Sequence, residues 1–212
     1  MASAIIHLCI AKKINEIIKI NEKKFFLGSI APDMSKFIGK TKLESHFLRD
    51  VNDNIPELDK FLEKYRNTLG DNDFNLGYYC HLFADKVWFG DFLCKFLNFE
   101  KEEIVINGEK KNLSNETIIK ILYNDYKNLN VQLIDEYELD LSLFYEDIPI
   151  INSEIEEIDI DKLPVLINEM SIMIEDSSIR ETVVLSMASI CEFIDVVADE
   201  FIFLLREVGV LR

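Results

Sequence analysis

The segment Phe74–Leu97 reads FNLGYYCHLFADKVWFGDFLCKFL and is the densest apolar stretch of the 212-residue chain. Its apolar residues recur at helical spacing and leave little of the helix surface polar. A helix that is apolar on most sides is buried against other elements. This stretch therefore predicts a long, buried helix at the centre of the fold.

The composition favours helices over sheets. The chain has only 7 glycines and 4 prolines, while 49% of its residues are hydrophobic. A β-sandwich or barrel needs a turn residue every ~8–12 positions, and a dinucleotide-binding domain needs a glycine-rich phosphate loop. No internal repeat or low-complexity linker divides the chain. The sequence therefore predicts a single all-α domain over residues 1–212.

The amino-terminal region is predicted to form a helix followed by a loop. Apolar residues keep a helical period over Ala2–Ile20. The next segment, Phe25–Lys40, contains Gly28, Pro32 and Gly39, which are residue types that interrupt helices. We therefore expect an ordered loop over this second segment.

The second half of the chain is predicted to contain one hairpin and three helices. Ile104–Gly108 combines a β-prone run with an Asn-Gly turn, which indicates a short hairpin. Ser114 is a suitable N-cap for a helix that continues to about Tyr137. Apolar periodicity predicts two further helices, over Leu163–Glu175 and Ile179–Val208.

Charge and apolar patterning exclude two classes of partner. The formal net charge of -16 at pH 7 repels the phosphate backbone of duplex nucleic acid. The apolar stretch Leu185–Leu205 is interrupted by four acidic residues, so no integral membrane segment is expected. The cysteines form no C-x-x-C pair, and the chain opens without the pattern of a signal peptide. We therefore expect a cytoplasmic protein.

His81 and Asp85 are the strongest chemical signal within the central helix. They are four residues apart, which places both side chains on one face of the helix. An unpaired carboxylate on so apolar a helix costs several kcal/mol of desolvation, and a divalent cation offsets that cost. The alternative is that His81 donates to a carbonyl group and Asp85 pairs with a distant lysine or arginine. Spacing alone does not separate these two interpretations.

Three further motifs precede this pair in a recognisable order. The four motifs are IHL at residues 6–8, LGSIAPD at 27–33, SHF at 45–47 and GYYCHLFADKVW at 77–88. Their order and spacing resemble the zinc-dependent phospholipase C family over roughly the first 90 residues, and more loosely at residues 123–126. The resemblance implies an all-α fold with a cluster of zinc ions in a cleft.

The resemblance also implies a set of metal ligands. Asp33, His46, His81 and Asp85 would surround one zinc ion, and His7 would hold a second ion together with the shared carboxylate of Asp85. We therefore expect one to two Zn²⁺ ions as cofactors. Two carboxylates among the ligands also admit iron or manganese.

Two further roles follow from the same resemblance. The aspartate at the position of Asp33 is both a ligand and a candidate catalytic base toward the attacking water. Because a carboxylate bound to zinc is a poor base, the base role is secondary. In secreted relatives the mature amino terminus also binds the second ion. Removal of Met1 here would leave a free amine on Ala2, ahead of His7.

The family's third metal site is not matched by this sequence. That site uses two further histidines and a glutamate, whereas this chain has no histidine after His81. Asp91 and Asp125 are the candidates to replace those ligands. A weak or absent third site is the expectation, and it argues against efficient phospholipase activity.

The sequence therefore predicts a metal-dependent hydrolase of phosphate esters that uses a metal-bound hydroxide. Its substrate would be a small phosphate ester or a phospholipid head group. A phosphomonoesterase or nuclease of the same fold is one alternative, although the acidic surface disfavours long polyanions. A non-catalytic protein stabilised by zinc is the other. The adjacent His-Asp pair of HD-domain phosphohydrolases is absent.

Overall fold

A computed structural model describes residues 2–211 of the chain. Over this range the protein is mostly helical, with one small sheet, which confirms the predicted all-α class. The α-helices are α1 (Ala4–Ile18), α2 (Glu22–Ile30), α3 (Lys42–Ser45), α4 (Leu58–Tyr65), α5 (Asp73–Val87), α6 (Asn115–Glu136), α7 (Leu163–Glu175) and α8 (Met187–Glu207). The strands are β1 (Leu97–Asn98), β2 (Glu103–Ile106) and β3 (Glu109–Asn112).

The central helix α5 forms where the sequence predicts it and packs most extensively against α2. A Cβ atom added at Gly28 of α2 would lie 2.0 Å from the carbonyl oxygen of Phe74. One added at Gly77 of α5 would lie 2.1 Å from the carbonyl oxygen of Phe25. The two glycines therefore allow the two helix backbones to touch, which no larger residue permits.

The close contact between α2 and α5 corrects the loop predicted over Phe25–Lys40. Most of this segment is helical, first as α2 and then as a 3-10 helix over Ala31–Lys36. Gly28 lies inside α2 because packing decides its conformation, and Pro32 occupies the first turn of the 3-10 helix, where no backbone donor is needed. Gly39 has a φ of 72° and lies beyond both helices.

The long buried helix predicted over Phe74–Leu97 is shorter than expected. α5 ends at Val87 and is followed by a π-helical turn over Trp88–Phe92. Trp88 is fully buried, and its ring lies 5.0 Å from the ring of Phe193 on α8. The helix therefore changes from α to π geometry at a tryptophan that is buried in the core.

The small sheet agrees with the predicted hairpin. β2 and β3 pair antiparallel around the turn at Asn107 and Gly108, and β1 adds two residues at the other edge. Ser114 accepts a hydrogen bond from the backbone N–H of Thr117 and caps α6 as expected. None of the helices among residues 2–211 has the length and hydrophobicity that a bilayer crossing requires.

The last predicted helix begins later than the periodicity indicates. α8 starts at Met187, whereas residues 179–186 form an irregular segment. Within that segment the backbone N–H groups of Val183, Val184 and Leu185 donate to the carboxylate of Asp125 on α6. These three hydrogen bonds replace the helical ones, so the segment stays extended over α6.

Candidate metal centre

The five residues predicted as ligands lie together in the core. Three helices and the 3-10 helix supply them: His7 from α1, Asp33 from the 3-10 helix, His46 at the end of α3, and His81 and Asp85 from α5. Each of these residues is at most 1% exposed. Five ionisable or metal-binding side chains are thus packed into one place that water barely reaches.

One group of ligand atoms consists of Asp33, His46 and His81. The Nε2 atoms of the two histidines are 3.3 Å apart. Oδ1 of Asp33 lies 3.4 Å from Nε2 of His46 and 3.9 Å from Nε2 of His81. The three atoms therefore point toward one common point between them.

A second group consists of His7, His81 and Asp85. Nε2 of His7 lies 3.5 Å from Oδ1 of Asp85, while Oδ2 of Asp85 lies 3.7 Å from Nε2 of both His46 and His81. The two oxygens of Asp85 thus face opposite sides of the cluster. This is the geometry of a carboxylate shared between two neighbouring sites.

The backbone nitrogen of Ala2 lies on the same side of the cluster as His7. It is 3.4 Å from Oδ1 of Asp85. Ser3 caps α1 by accepting a hydrogen bond from the N–H of Ile6, which fixes the start of this helix near Asp85. The beginning of the described chain is therefore part of the cluster.

The distances within the cluster suit a metal better than direct hydrogen bonds. Separations of 3.4 to 3.9 Å between carboxylate oxygens and imidazole nitrogens exceed the usual hydrogen-bond length. Ligand atoms ~2.0–2.2 Å from a tetrahedral zinc ion lie roughly 3.3–3.6 Å from one another. Both nitrogens of His7, Oδ1 of Asp33 and Oδ2 of Asp85 are buried and make no hydrogen bond within the described chain. The side chains therefore fit the zinc ions that the resemblance implies.

Neighbouring groups orient two of the histidines. Nδ1 of His81 lies 2.8 Å from the carbonyl oxygen of Ser29, so it carries the proton and donates it. Nδ1 of His46 lies 2.9 Å from Oγ of Ser45. In both rings Nε2 is left facing the cluster, as a metal ligand requires. Tyr78 supports this arrangement because its hydroxyl donates to the carbonyl oxygen of Ser45.

The alternative to a metal was that His81 donates to a carbonyl group and Asp85 pairs with a distant lysine or arginine. The structure supports only the first part of this alternative. His81 does donate to a carbonyl group, but through the nitrogen that points away from the cluster. Within residues 2–211, no lysine or arginine nitrogen lies within 4.0 Å of the Asp85 carboxylate. Asp85 therefore forms no direct ion pair with a lysine or arginine of the described chain.

The electrostatics hold these groups in the forms that bind metals. Burial lowers the pKa of His46 and lowers that of His81 further, so both rings are neutral at pH 7. Burial opposes ionisation of Asp33, but the Lys36 ammonium and the imidazoles outweigh it and hold its pKa well below the usual value. Burial likewise opposes ionisation of Asp85, yet His7 and neighbouring groups lower its pKa. Neutral imidazoles and ionised carboxylates are the ligand states that zinc needs.

The two candidates for a third site do not approach the cluster. Asp125 is fully buried, but its oxygens accept the N–H groups of Val183, Val184 and Leu185 at 2.8, 2.7 and 2.9 Å. Asp91 is exposed and lines a groove with Glu192 on α8. Neither belongs to a group of metal-ligand atoms among residues 2–211.

A cleft adjoins the cluster on the side of α6. One cavity, of about 270 Å³, is lined by Ala2, Ser3, Ala4, Asp33, Lys36, Tyr123, Tyr126, Lys127, Asn130, Met170 and Met173. Apolar surface predominates in this lining. Nζ of Lys36 lies 3.2 Å from Oδ2 of Asp33, which places a positive charge where the cavity meets the cluster.

The sequence motifs point to the five candidate ligands, but they do not by themselves indicate which residues contact those side chains. Ser29, Ser45 and Lys36 each contact a predicted ligand. Ser29 and Ser45 lie inside the quoted motifs, so their presence beside the ligands was a usable signal. Lys36 follows Asp33 by three residues, which is contact spacing in a helix.

Comparison with known proteins supports the same family as the resemblance. Residues 2–88 match the family model described as zinc dependent phospholipase C. This range contains all five predicted ligands, and the match supports membership of that family. Searches of the curated proteins and of the solved structures gave no match. The family and the buried donor set together support zinc as the cofactor and a metal-dependent hydrolase as the class.

Proposed function

We propose that this chain, whose residues 2–88 match the zinc-dependent phospholipase C family, hydrolyses a phosphate ester with the help of one to two zinc ions. The observation that carries the proposal is the pair of buried ligand groups that share His81. Both groups consist entirely of residues inside the matched range. A buried cluster with unsatisfied donor atoms is costly unless a ligand occupies it.

The proposed ligands follow from the distances. Asp33, His46 and His81 hold one ion, with Oδ2 of Asp85 on the same side. His7 and Oδ1 of Asp85 hold the second ion. Asp85 would offer one oxygen to each ion, so its loss would affect both.

The backbone nitrogen of Ala2 is a further proposed ligand of the second ion, in a form of the protein that begins at Ala2. If Met1 is removed, the nitrogen that lies 3.4 Å from Oδ1 of Asp85 becomes a free amine. A neutral amine has a lone pair that zinc accepts, whereas an amide nitrogen does not. Processing of Met1 is therefore expected to strengthen binding at the side of His7.

Zinc bound at such a site lowers the pKa of a water molecule and stabilises negative charge on phosphate oxygens. In the overall reaction a water oxygen forms a new bond to phosphorus, the bond to the ester oxygen breaks, and the alcohol leaves with a proton. Oδ2 of Asp33 is already engaged by Lys36, so Asp33 acts first as a ligand and only secondarily as a base. The buried walls of α1 and α5 exclude bulk water from the ligands.

The substrate is proposed to be a small phosphate ester and not a bilayer phospholipid. The absence of Asp91 and Asp125 from the cluster supports this choice, because fewer cations then stabilise the transition state. The net charge of -16 disfavours long polyanions such as nucleic acids. The cytoplasmic location expected from the sequence stays a prediction.

A panel of chromogenic phosphate monoesters and diesters tests the proposal on zinc-loaded protein. We expect weak turnover that disappears with chelator and with His46→Ala. Asp91→Asn is the matched control, since this carboxylate is exposed and belongs to neither ligand group, and it should retain turnover. No hydrolysis by fully zinc-loaded wild type would favour the non-catalytic, zinc-stabilised alternative.

A further inference from the structure

Lys42 is a half-buried lysine beside the cluster for which the proposed function has no role. It is the first residue of α3, one helical turn before His46, and its Nζ lies 5.9 Å from the centre of the Phe89 ring. Within residues 2–211, no carboxylate oxygen lies within 4.0 Å of this ammonium group. Burial lowers the pKa of Lys42, although attraction to Asp85 and Asp33 opposes that change. The ammonium group therefore lies in the field of the site carboxylates without pairing with either.

Lys42 faces a cavity that adjoins the one beside Asp33. This cavity, of about 320 Å³, is lined by Lys42, Asn54, Phe89, Leu93, Phe99, Asn115, Ile119, Leu122, Tyr123 and Tyr126. Tyr123 and Tyr126 line both cavities, so the two are neighbouring parts of one cleft. Lys36 stands in one part and Lys42 in the other. The two lysines therefore flank the cleft next to the proposed ions.

The charges around the cleft favour a doubly charged anion. Two zinc ions and the two carboxylates would together carry a net charge of about +2, to which Lys36 and Lys42 each add one. Lys127 also lines the cleft, but it pairs with Asp176 at 3.5 Å. In a chain of net charge -16 this is a local positive region, and low dielectric strengthens its attraction for an anion.

The apolar part of the cleft limits the size of the group that is attached to the phosphate. Pockets that hold drug-sized molecules have volumes of about 300–1,000 Å³. The cavity of about 270 Å³ beside Asp33 is smaller and is lined partly by Met170 and Met173. It accommodates a compact apolar group beside the phosphate. Methionine side chains adapt to ligands of varied outline.

We propose that the cleft binds a phosphate monoester dianion with a compact apolar group, and that Lys42 is a specificity-determining residue that binds the phosphate. The inference rests on the proposed function, because it places the phosphate beside the ions. Lys42 donates a charge-assisted hydrogen bond to a phosphate oxygen. A diester has one negative charge fewer at the same place and is bound less tightly.

The first experiment measures binding and not turnover. Calorimetric titration with inorganic phosphate on zinc-loaded protein should show that Lys42→Gln binds about tenfold more weakly than wild type, with zinc content unchanged. Lys42→Arg retains the charge and should restore most of the affinity. Lys95→Gln is the matched control, because Lys95 also lies over a phenyl ring, 5.8 Å from that of Phe92, but faces a different groove. Lys42→Met keeps the contact with Phe89 if the glutamine variant fails to fold.

The second experiment separates the charge of the ligand from its apolar group. Phenylphosphonate, at a pH where it is a dianion, should bind more tightly than inorganic phosphate, and its monomethyl ester should bind about tenfold more weakly than the dianion. Met173→Ser should reduce the preference for the phenyl group and leave the affinity for inorganic phosphate unchanged. Met173 is half-buried in the cleft and makes no contact with the ligand residues through a hydrogen bond or ion pair.

The outcomes distinguish this inference from the function on which it rests. Wild-type phosphate affinity in zinc-loaded Lys42→Gln and Lys42→Met overturns the role of Lys42 even if the wild type hydrolyses esters. Equal binding of phenylphosphonate and its monomethyl ester overturns the monoester assignment. A wild-type protein that retains no zinc overturns the proposed function and this inference together.

Discussion

Two buried carboxylates, one in each half of the chain, differ in how their negative charges are stabilised. Asp85 in α5 and Asp125 in α6 are both fully buried. Asp125 accepts three backbone N–H groups at 2.7 to 2.9 Å. Asp85 has only contacts of 3.4 to 3.7 Å, and its Oδ2 makes no hydrogen bond within the described chain. A satisfied carboxylate anchors the backbone, whereas an unsatisfied one among imidazoles is suited to a cation.

The two halves of the chain differ in the same way, because only the first contains candidate metal ligands among the described residues. Residues 2–88 match the family model and contain every proposed ligand. The later helices α6 and α7 form one wall of the cleft without contributing a ligand group among the described residues. The amino-terminal half thus contains the candidate ligands, and the second half contributes α6 and α7 to the cavity beside them.

The largest expected effect comes from Asp85. Asp85→Asn keeps the size of the side chain but removes the charge that both ions share, so zinc content should fall to near zero. Zinc at ~1,000 times its Kd stabilises a folded protein by about 4 kcal/mol, and that zinc-dependent gain should disappear. Thermal unfolding with and without zinc measures it. A variant that still gains stability from zinc would refute the bridging role.

Asp125→Asn should affect stability without affecting the metal. An amide can accept fewer of the three N–H groups, and bonds to a charged acceptor contribute about 1.5–3 kcal/mol each. We expect the free energy of unfolding to fall by about 3 kcal/mol while the zinc content stays at the wild-type value. Urea unfolding and elemental analysis measure the two quantities. Loss of zinc in this variant would mean that Asp125 acts at the metal site after all.

His7→Ala should have a smaller effect than Asp85→Asn. His7 belongs to only one of the two ligand groups, so one ion should remain at Asp33, His46 and His81, with Oδ2 of Asp85 beside it. About half of the zinc, and about half of its stabilisation, should be lost. Elemental analysis of the variant beside Asp85→Asn gives the comparison. Equal losses in the two variants would contradict the shared carboxylate.

The smallest expected effect is the pH dependence of the metal-free protein. The pKa values of His46, His81, Asp33 and Asp85 are all lowered in the folded state. The unfolded chain therefore binds more protons than the folded one, and the free energy of unfolding falls as pH falls. The imidazoles contribute below about pH 6.5 and the carboxylates below about pH 4.

Urea unfolding of chelated protein across this pH range measures the dependence. His46→Gln removes one of the titrating groups and should flatten the change between about pH 7 and pH 5. Stability that rises as pH falls through this window would mean that the buried imidazoles are protonated in the folded protein.

The helices and the His81–Asp85 pair could be predicted from local sequence because both depend on short spacings. His81 and Asp85 are one helical turn apart, and the boundaries of α7 follow from apolar periodicity alone. The other ligands came from motifs rather than from spacing. Their meeting point depends on how α1, α2 and α5 pack, which the quoted segments did not reveal by themselves.

The loop predicted around Gly28 and the helix predicted over residues 179–186 were wrong for the same reason. In each case a contact between residues distant in sequence decides the local structure. Gly28 indicates a loop by propensity, but it lies in a helix because Gly77 and Phe74 need close backbone approach. Residues 179–186 look helical by period, but Asp125 binds their backbone, 58 to 60 positions away. No local pattern carries that information. The position of Lys42 beside the cluster was missed for the same reason.

The zinc content of the purified protein tests the central claim most directly. Elemental analysis of wild-type protein prepared without chelator should give one to two zinc ions per chain, and His46→Ala and Asp85→Asn should each give less. We expect the ions to stay bound through gel filtration, because buried ligands hold zinc tightly. A zinc content below about 0.2 ion per chain, with no iron or manganese in its place, would contradict it.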